Sequence, residues 1–182
     1  MYLYHYYEKS IGPFKSLSDI PREKAERILD WLREKGDTFA SKRGENYIER
    51  RKQLEAIARK IFVDKGGKPL RVSPHYMVVE ECPYLLTWYR EPCFLRVPIQ
   101  KLNPASLSFT YGDMFPTFDP KYDDGKEYRN NVYTYWEILK LIDKYGIPQI
   151  WNSDGRYGQE RYIEVQVWSD ETIKDYISIP YN

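Results

Sequence analysis

Apolar positions along this chain keep two rhythms, one in steps of two residues and one in steps of three and four. LYHYY at 3–7 is a run of strand-forming aromatics that Gly12-Pro13 breaks, which predicts a short first strand. Ser18, Asp19 and Pro21 then supply helix-start chemistry, and Ala25, Ile28, Leu29 and Leu32 form one apolar stripe ended by Lys35-Gly36. A second helix is predicted over residues 44–62, where Tyr47, Ile48, Leu54, Ile57, Ala58, Ile61 and Phe62 recur at helical spacing before Gly66-Gly67. From about residue 70 the rhythm shortens. RVSPHYMVVEE, LLTWY, CFLRVPI and LSFTYGDMF read as strands separated by prolines, and a polar loop follows from Phe115-Pro116 to Gly125. Val132, Tyr135, Trp136, Leu139 and Ile142 define a third helix closed by Gly146 and Pro148, and NSDGRYG at 152–158 is a turn. In RYIEVQVW, 161–168, Ile163, Val165 and Val167 alternate with Tyr162, Glu164, Gln166 and Trp168, the period of a strand. The tail TIKDYISIPY predicts a last short strand.

This order of elements predicts a single α+β domain over residues 1–182, its helices segregated to one side of a mainly antiparallel sheet. A regular β-α alternation is absent, and so is any GxGxxG or GxxxxGK[ST] loop, which argues against a doubly wound nucleotide-binding fold.

Composition narrows the function classes. Lys plus Arg number 28 against 27 Asp plus Glu, a formal net charge of +1, so bulk charge does not call for duplex DNA. The aromatic share is high, with 18 Tyr, 7 Phe and 5 Trp, a composition suited to the walls of a partly wet cleft. Cys82 and Cys93, with only two His in the chain, form no zinc pattern and read as reduced thiols, and no metal is expected. MYLYHYYEKS carries neither a basic nor an apolar leader region and no apolar run is long enough to span a bilayer, so the expectation is a cytoplasmic protein without a membrane partner.

Several residues could carry chemistry. His5, in the first strand, could hold a ligand through one ring nitrogen while backbone fixes the other, or pack as a structural histidine among tyrosines. His75 follows Pro74 and starts an extended segment, where it could be only a strand-edge residue. Glu164 is a lone carboxylate between large aromatics, either exposed at an edge or held in a cleft where it would favour a developing positive charge; Glu160 is its rival upstream. In SFTYGDMF, Gly112 permits a tight turn, Asp113 can cap it or face a ligand, and Phe109, Tyr111 and Phe115 could stack on rings. Arg50, Arg51, Arg59 and Lys60 give the second helix a basic face, either solvated or placed for phosphate.

Read together, LYHYY, SPHYMVV, SFTYGDMF and RYIEVQVW resemble, in order and spacing over residues 3 to 168, the His-Tyr-Glu arrangement of the ADP-ribosyltransferase superfamily. The similarity is greatest to its DNA-modifying toxin branch, the DarT type. The resemblance implies a split or strongly curved sheet and NAD as substrate. It implies that His5 contacts the adenosine-side ribose, Tyr76 stacks near the nicotinamide, Glu164 holds a ribose hydroxyl as the catalytic carboxylate, and Arg50 or Arg51 pairs with pyrophosphate. The acceptor would be nucleic acid or protein. Tyr162, two residues before Glu164, stands where arginine-modifying members carry Gln or Glu, so arginine is not the implied acceptor. Two other classes stay open on the residues alone: a non-enzymatic module binding RNA or protein through the basic helix and aromatic sheet, and a hydrolase of a phosphorylated small molecule built on Asp113 and Glu164.

Overall fold

The computed structural model describes residues 1–177. Strands β1 (Tyr2–Glu8), β2 (His75–Val79), β3 (Pro92–Pro98), β4 (Leu107–Thr110) and β5 (Glu164–Val167) form one sheet in the order β3-β1-β2-β5-β4. Every neighbouring pair is antiparallel, and the sheet does not close into a barrel. The helices are α1 (Arg22–Lys35), α2 (Tyr47–Asp64), α3 (Pro83–Leu86), α4 (Met114–Thr117), α5 (Tyr135–Tyr145), α6 (Pro148–Trp151) and α7 (Asp170–Ile177). The class is α+β, as the pattern predicts.

The helices are not confined to one side of the sheet. Ile138 and Leu141 of α5 and Ile173 of α7 join the core formed by Leu107, Phe109, Val165 and Val167. On the opposite face Leu54, Ala58 and Phe62 of α2 pack with Trp168. All residues of β4 and β5 are therefore buried, whichever way they point.

Two features open a space beside the sheet. α1 packs through Ala25 and Leu29 on Ile48 of α2 rather than on a strand. β1 pairs with β3 along its whole length, yet its ladder with β2 holds only Leu3 with Val79 and Tyr4 with Val78. Beyond Tyr4 the two strands part, and backbone groups that would have met across the gap need other partners.

Some expected elements differ. LLTWY is no strand. Pro83, fitted to a first helical position, starts the one-turn helix α3, and Tyr84 and Trp88 meet edge to face at the four-residue spacing of a helix. In the tail, Ile173, Tyr176 and Ile177 share a helical face and Asp170 and Glu171 occupy the first turn, so TIKDYI belongs to α7; residues 178–181 of the expected strand lie outside the described residues. The strand expected over 161–168 is regular only from Glu164 to Val167, although Tyr162 and Trp168 keep its facing.

Candidate functional site

The parted strands and the stand-off of α1 enclose a cleft of about 1260 Å³. β1, the open end of β2, and Glu164 line one side; the loop after β1, α1, Tyr47 and Arg51 of α2, the segment around Trp88, and Asp113 line the rest. His5, Tyr76, Arg51 and Glu164 all border this one space.

Glu164 is 8% exposed. Its Oε1 accepts from Gln166 Nε2 at 3.0 Å, and Gln166 is held in turn by Ser108, whose hydroxyl donates to Gln166 Oε1 at 2.7 Å while its oxygen accepts from Trp168 Nε1 at 2.8 Å. This row of polar side chains along β4 and β5 fixes the carboxyl group. Burial pushes its pKa well above the usual carboxylate range, and the nearby Asp113 carboxylate adds to the rise. Asp113 caps α4 by accepting from the Phe115 N–H at 2.7 Å, and its other oxygen accepts from the Tyr162 hydroxyl at 2.7 Å.

Opposite stands a guanidinium. Arg51 donates from Nε to Glu55 Oε1 at 2.9 Å, from Nη1 to the Tyr47 hydroxyl at 3.1 Å and from Nη2 to Ser16 Oγ at 3.2 Å. It lies over the Tyr76 ring at 4.6 Å, a cation–π contact. Tyr76 donates its hydroxyl to Glu55 Oε1 at 2.8 Å, and burial holds the phenol protonated.

His5 fills the gap between β1 and β2. Its Nδ1 donates to the Tyr76 carbonyl at 2.8 Å, because Nε2 accepts from the Phe14 N–H at 2.8 Å. The Phe14 ring stacks on the imidazole at 4.1 Å, with a positive φ of 55° that a bulky residue seldom adopts. Burial lowers the His5 pKa to about 4, so the ring is neutral at ordinary pH. The ribose contact that the resemblance implies would compete with Phe14, since both ring nitrogens are engaged by the protein.

The remaining candidates sit elsewhere. Arg50 lies outside the cleft and donates to the Phe118 carbonyl at 3.2 Å; of the arginine pair, only Arg51 faces the cleft. Arg59 is committed to the carbonyls of Pro69 and Arg71, and Lys60 to Asp64. Phe109 and Tyr111 belong to the core, leaving Phe115, stacked on Tyr47 at 5.1 Å, as the ring of that loop bordering the cleft. Glu160 is wholly buried in an ion pair with Arg129 and does not itself line the cleft, although its neighbours Gln159 and Arg161 do. His75 borders the cleft, with Nε2 bonded to Asp170 at 2.7 Å.

Sequence reasoning missed Glu55, Phe14, Trp88 and the role of Tyr162. A signal existed for the first: Tyr47, Arg51 and Glu55 are spaced by four and share one face of α2. Several cleft-lining residues keep a buried polar atom without a partner in the protein, among them Thr38 Oγ1, Trp88 Nε1 and Arg161 Nε. Such orphans fit a polar ligand that would supply acceptors. Among the described residues no cluster of His, Cys, Asp and Glu is placed to hold a metal ion, and no helix is long and apolar enough to cross a membrane. Compared with known protein families, curated proteins and solved structures, the chain matches none.

Proposed function

We propose that the cleft binds NAD and that the protein transfers ADP-ribose from it to an acceptor of the nucleic-acid or protein class. The observation that carries this reading is the convergence of Glu164, Tyr76 and Arg51 on one ring-walled space, with His5 locking the strand that presents Tyr76. Arg51, with three donor contacts spent inside the protein, retains donors for a pyrophosphate oxygen. The Tyr76 ring offers a flat wall for the nicotinamide. As the nicotinamide–ribose bond breaks, nicotinamide leaves with the bonding pair and the ribose becomes oxocarbenium-like. The Glu164 carboxylate, fixed by Gln166 and shielded from water, favours that charge more than it favours the ground state. The acceptor then bonds to the ribose carbon and gives up its proton.

Millimolar NAD is expected to raise the melting temperature of the wild-type protein. Glu164→Gln is expected to keep the fold and NAD binding but to lose turnover, read as nicotinamide release, by at least about a hundredfold. No thermal shift at that concentration, or full turnover in the variant, refutes the assignment.

A further inference from the structure

We infer that Glu55, which does not itself border the cleft, is the positioning residue that sets the attitude of both Arg51 and Tyr76; the inference rests on the NAD-binding reading for what those two residues do. Glu55 is 1% exposed, and its Oε1 alone accepts three bonds: from Arg51 Nε at 2.9 Å, the Tyr76 hydroxyl at 2.8 Å and Ser18 Oγ at 2.7 Å. One oxygen atom thus ties together α2, β2 and the turn leading into α1, the three elements that meet at this end of the cleft.

The arrangement is costly as scaffolding. A carboxylate buried to this degree forfeits hydration, and Glu55 Oε2 has no partner at all. An apolar side chain would join α2 to the sheet at lower cost. What only a charged acceptor at this point achieves is geometric. It pulls Nε of the guanidinium to one side, turning the remaining N–H groups away from itself, and it fixes the phenol so that the Tyr76 ring stays beneath the cation. Released from Glu55, Arg51 would keep its contacts to Tyr47 and Ser16 but lose the bond that orients its plane.

The test is a mutant cycle combined with a measurement that needs no ligand. Glu55→Gln is expected to weaken NAD binding about tenfold, whereas adding Glu55→Gln to a variant that already carries Arg51→Ala and Tyr76→Phe should cost nothing further, since both residues through which it acts have lost their bond to it. Additive losses would mean that Glu55 only supports the fold, and would overturn the inference. Independently, the Arg51 Nε–H resonance of the ligand-free protein should be dispersed and slow to exchange in wild type and should lose both properties in Glu55→Gln; an unchanged resonance overturns it too. That second readout separates the two failures: a wild type blind to NAD ends the transferase reading, while the resonance still decides whether Glu55 orients Arg51. Should Glu55→Gln not fold, Ser18→Ala removes one donor without touching a cleft residue. It is expected to weaken NAD binding about twofold to threefold and to speed Nε–H exchange; no change in either sinks the inference.

Discussion

At the scale of the residue, Glu164 holds its carboxyl where burial and the Asp113 carboxylate both disfavour the charge, and the consequence can be read from stability without any ligand. Its pKa lies above the ordinary 4.5 in the folded chain and returns to it on unfolding. Between those two values the native state binds the proton that the unfolded state has lost, so this group's contribution falls as pH rises from about 4.5 through the raised folded pKa. Gln at position 164 can still accept from Gln166 but carries no titration. Glu164→Gln is therefore expected to melt at a higher temperature than wild type at about pH 8, the gap closing as pH falls below about 4.5. A gap that does not narrow toward acid would refute the account. His5 works in the other direction: its folded pKa of about 4, below the ordinary 6.5, costs stability as pH falls through that window, so the comparison is made between variants at each pH and not from the wild-type curve alone. Alternation in RYIEVQVW placed Glu164 on the face opposite Val165, and that much was legible. Whether the face was wet was not, because α2, more than a hundred positions earlier, is what covers it.

At the scale of the element, legibility followed period and length. The long stripes of α1, α2 and α5 exceed two helical turns and their ends carry capping glycines, so sequence placed them to within a few residues. α3 is a single turn, too short for an apolar run to show its period, and its aromatics read as strand residues. The end of α2 illustrates how a glycine signal acquires its reason only in the fold. Gly66 has a φ of 86°, and the Gly67 N–H reaches back to the Phe62 carbonyl at 2.9 Å, wrapping the chain over the last turn. A Cβ on Gly67 would stand 2.5 Å from the Phe62 ring, itself 1% exposed among Leu54, Ala58 and Trp168. The ring cannot retreat without disturbing that core. Gly67→Ala is expected to cost about 1–3 kcal/mol in denaturant unfolding. A loss below about 0.5 kcal/mol would show that the core yields there.

At the scale of the whole molecule, the decisive feature is the gap between β1 and β2, which no local pattern announces. Each strand is well formed in sequence; that they pair for two rungs and then diverge depends on the His5 ring, itself held by the Phe14 N–H, giving the Tyr76 carbonyl the partner the ladder gives up. The cleft so formed collects Glu164 and Asp113 on one side and Arg51, already neutralised by Glu55, on another. Lys and Arg side chains outnumber carboxylates around the cleft as a whole, but where Glu164 sits burial and the adjacent Asp113 carboxylate favour the protonated form. A cationic nicotinamide ring beside Glu164 would reverse that preference, since an adjacent positive charge favours the ionised carboxyl. On the proposed function, binding of NAD is expected to release a proton wherever pH lies below the raised pKa of the free site, with affinity climbing with pH by up to about tenfold per unit until that pKa is passed. NADH, whose ring is neutral, gains nothing from the ionised form and should show no such climb. Calorimetry in buffers of different ionisation enthalpy measures the proton directly: release on NAD binding, none with NADH, and none with Glu164→Gln. Release that persists in Glu164→Gln would place the titrating group elsewhere in the cleft, and equal pH profiles for NAD and NADH would mean that the positive ring does not lie beside this carboxylate.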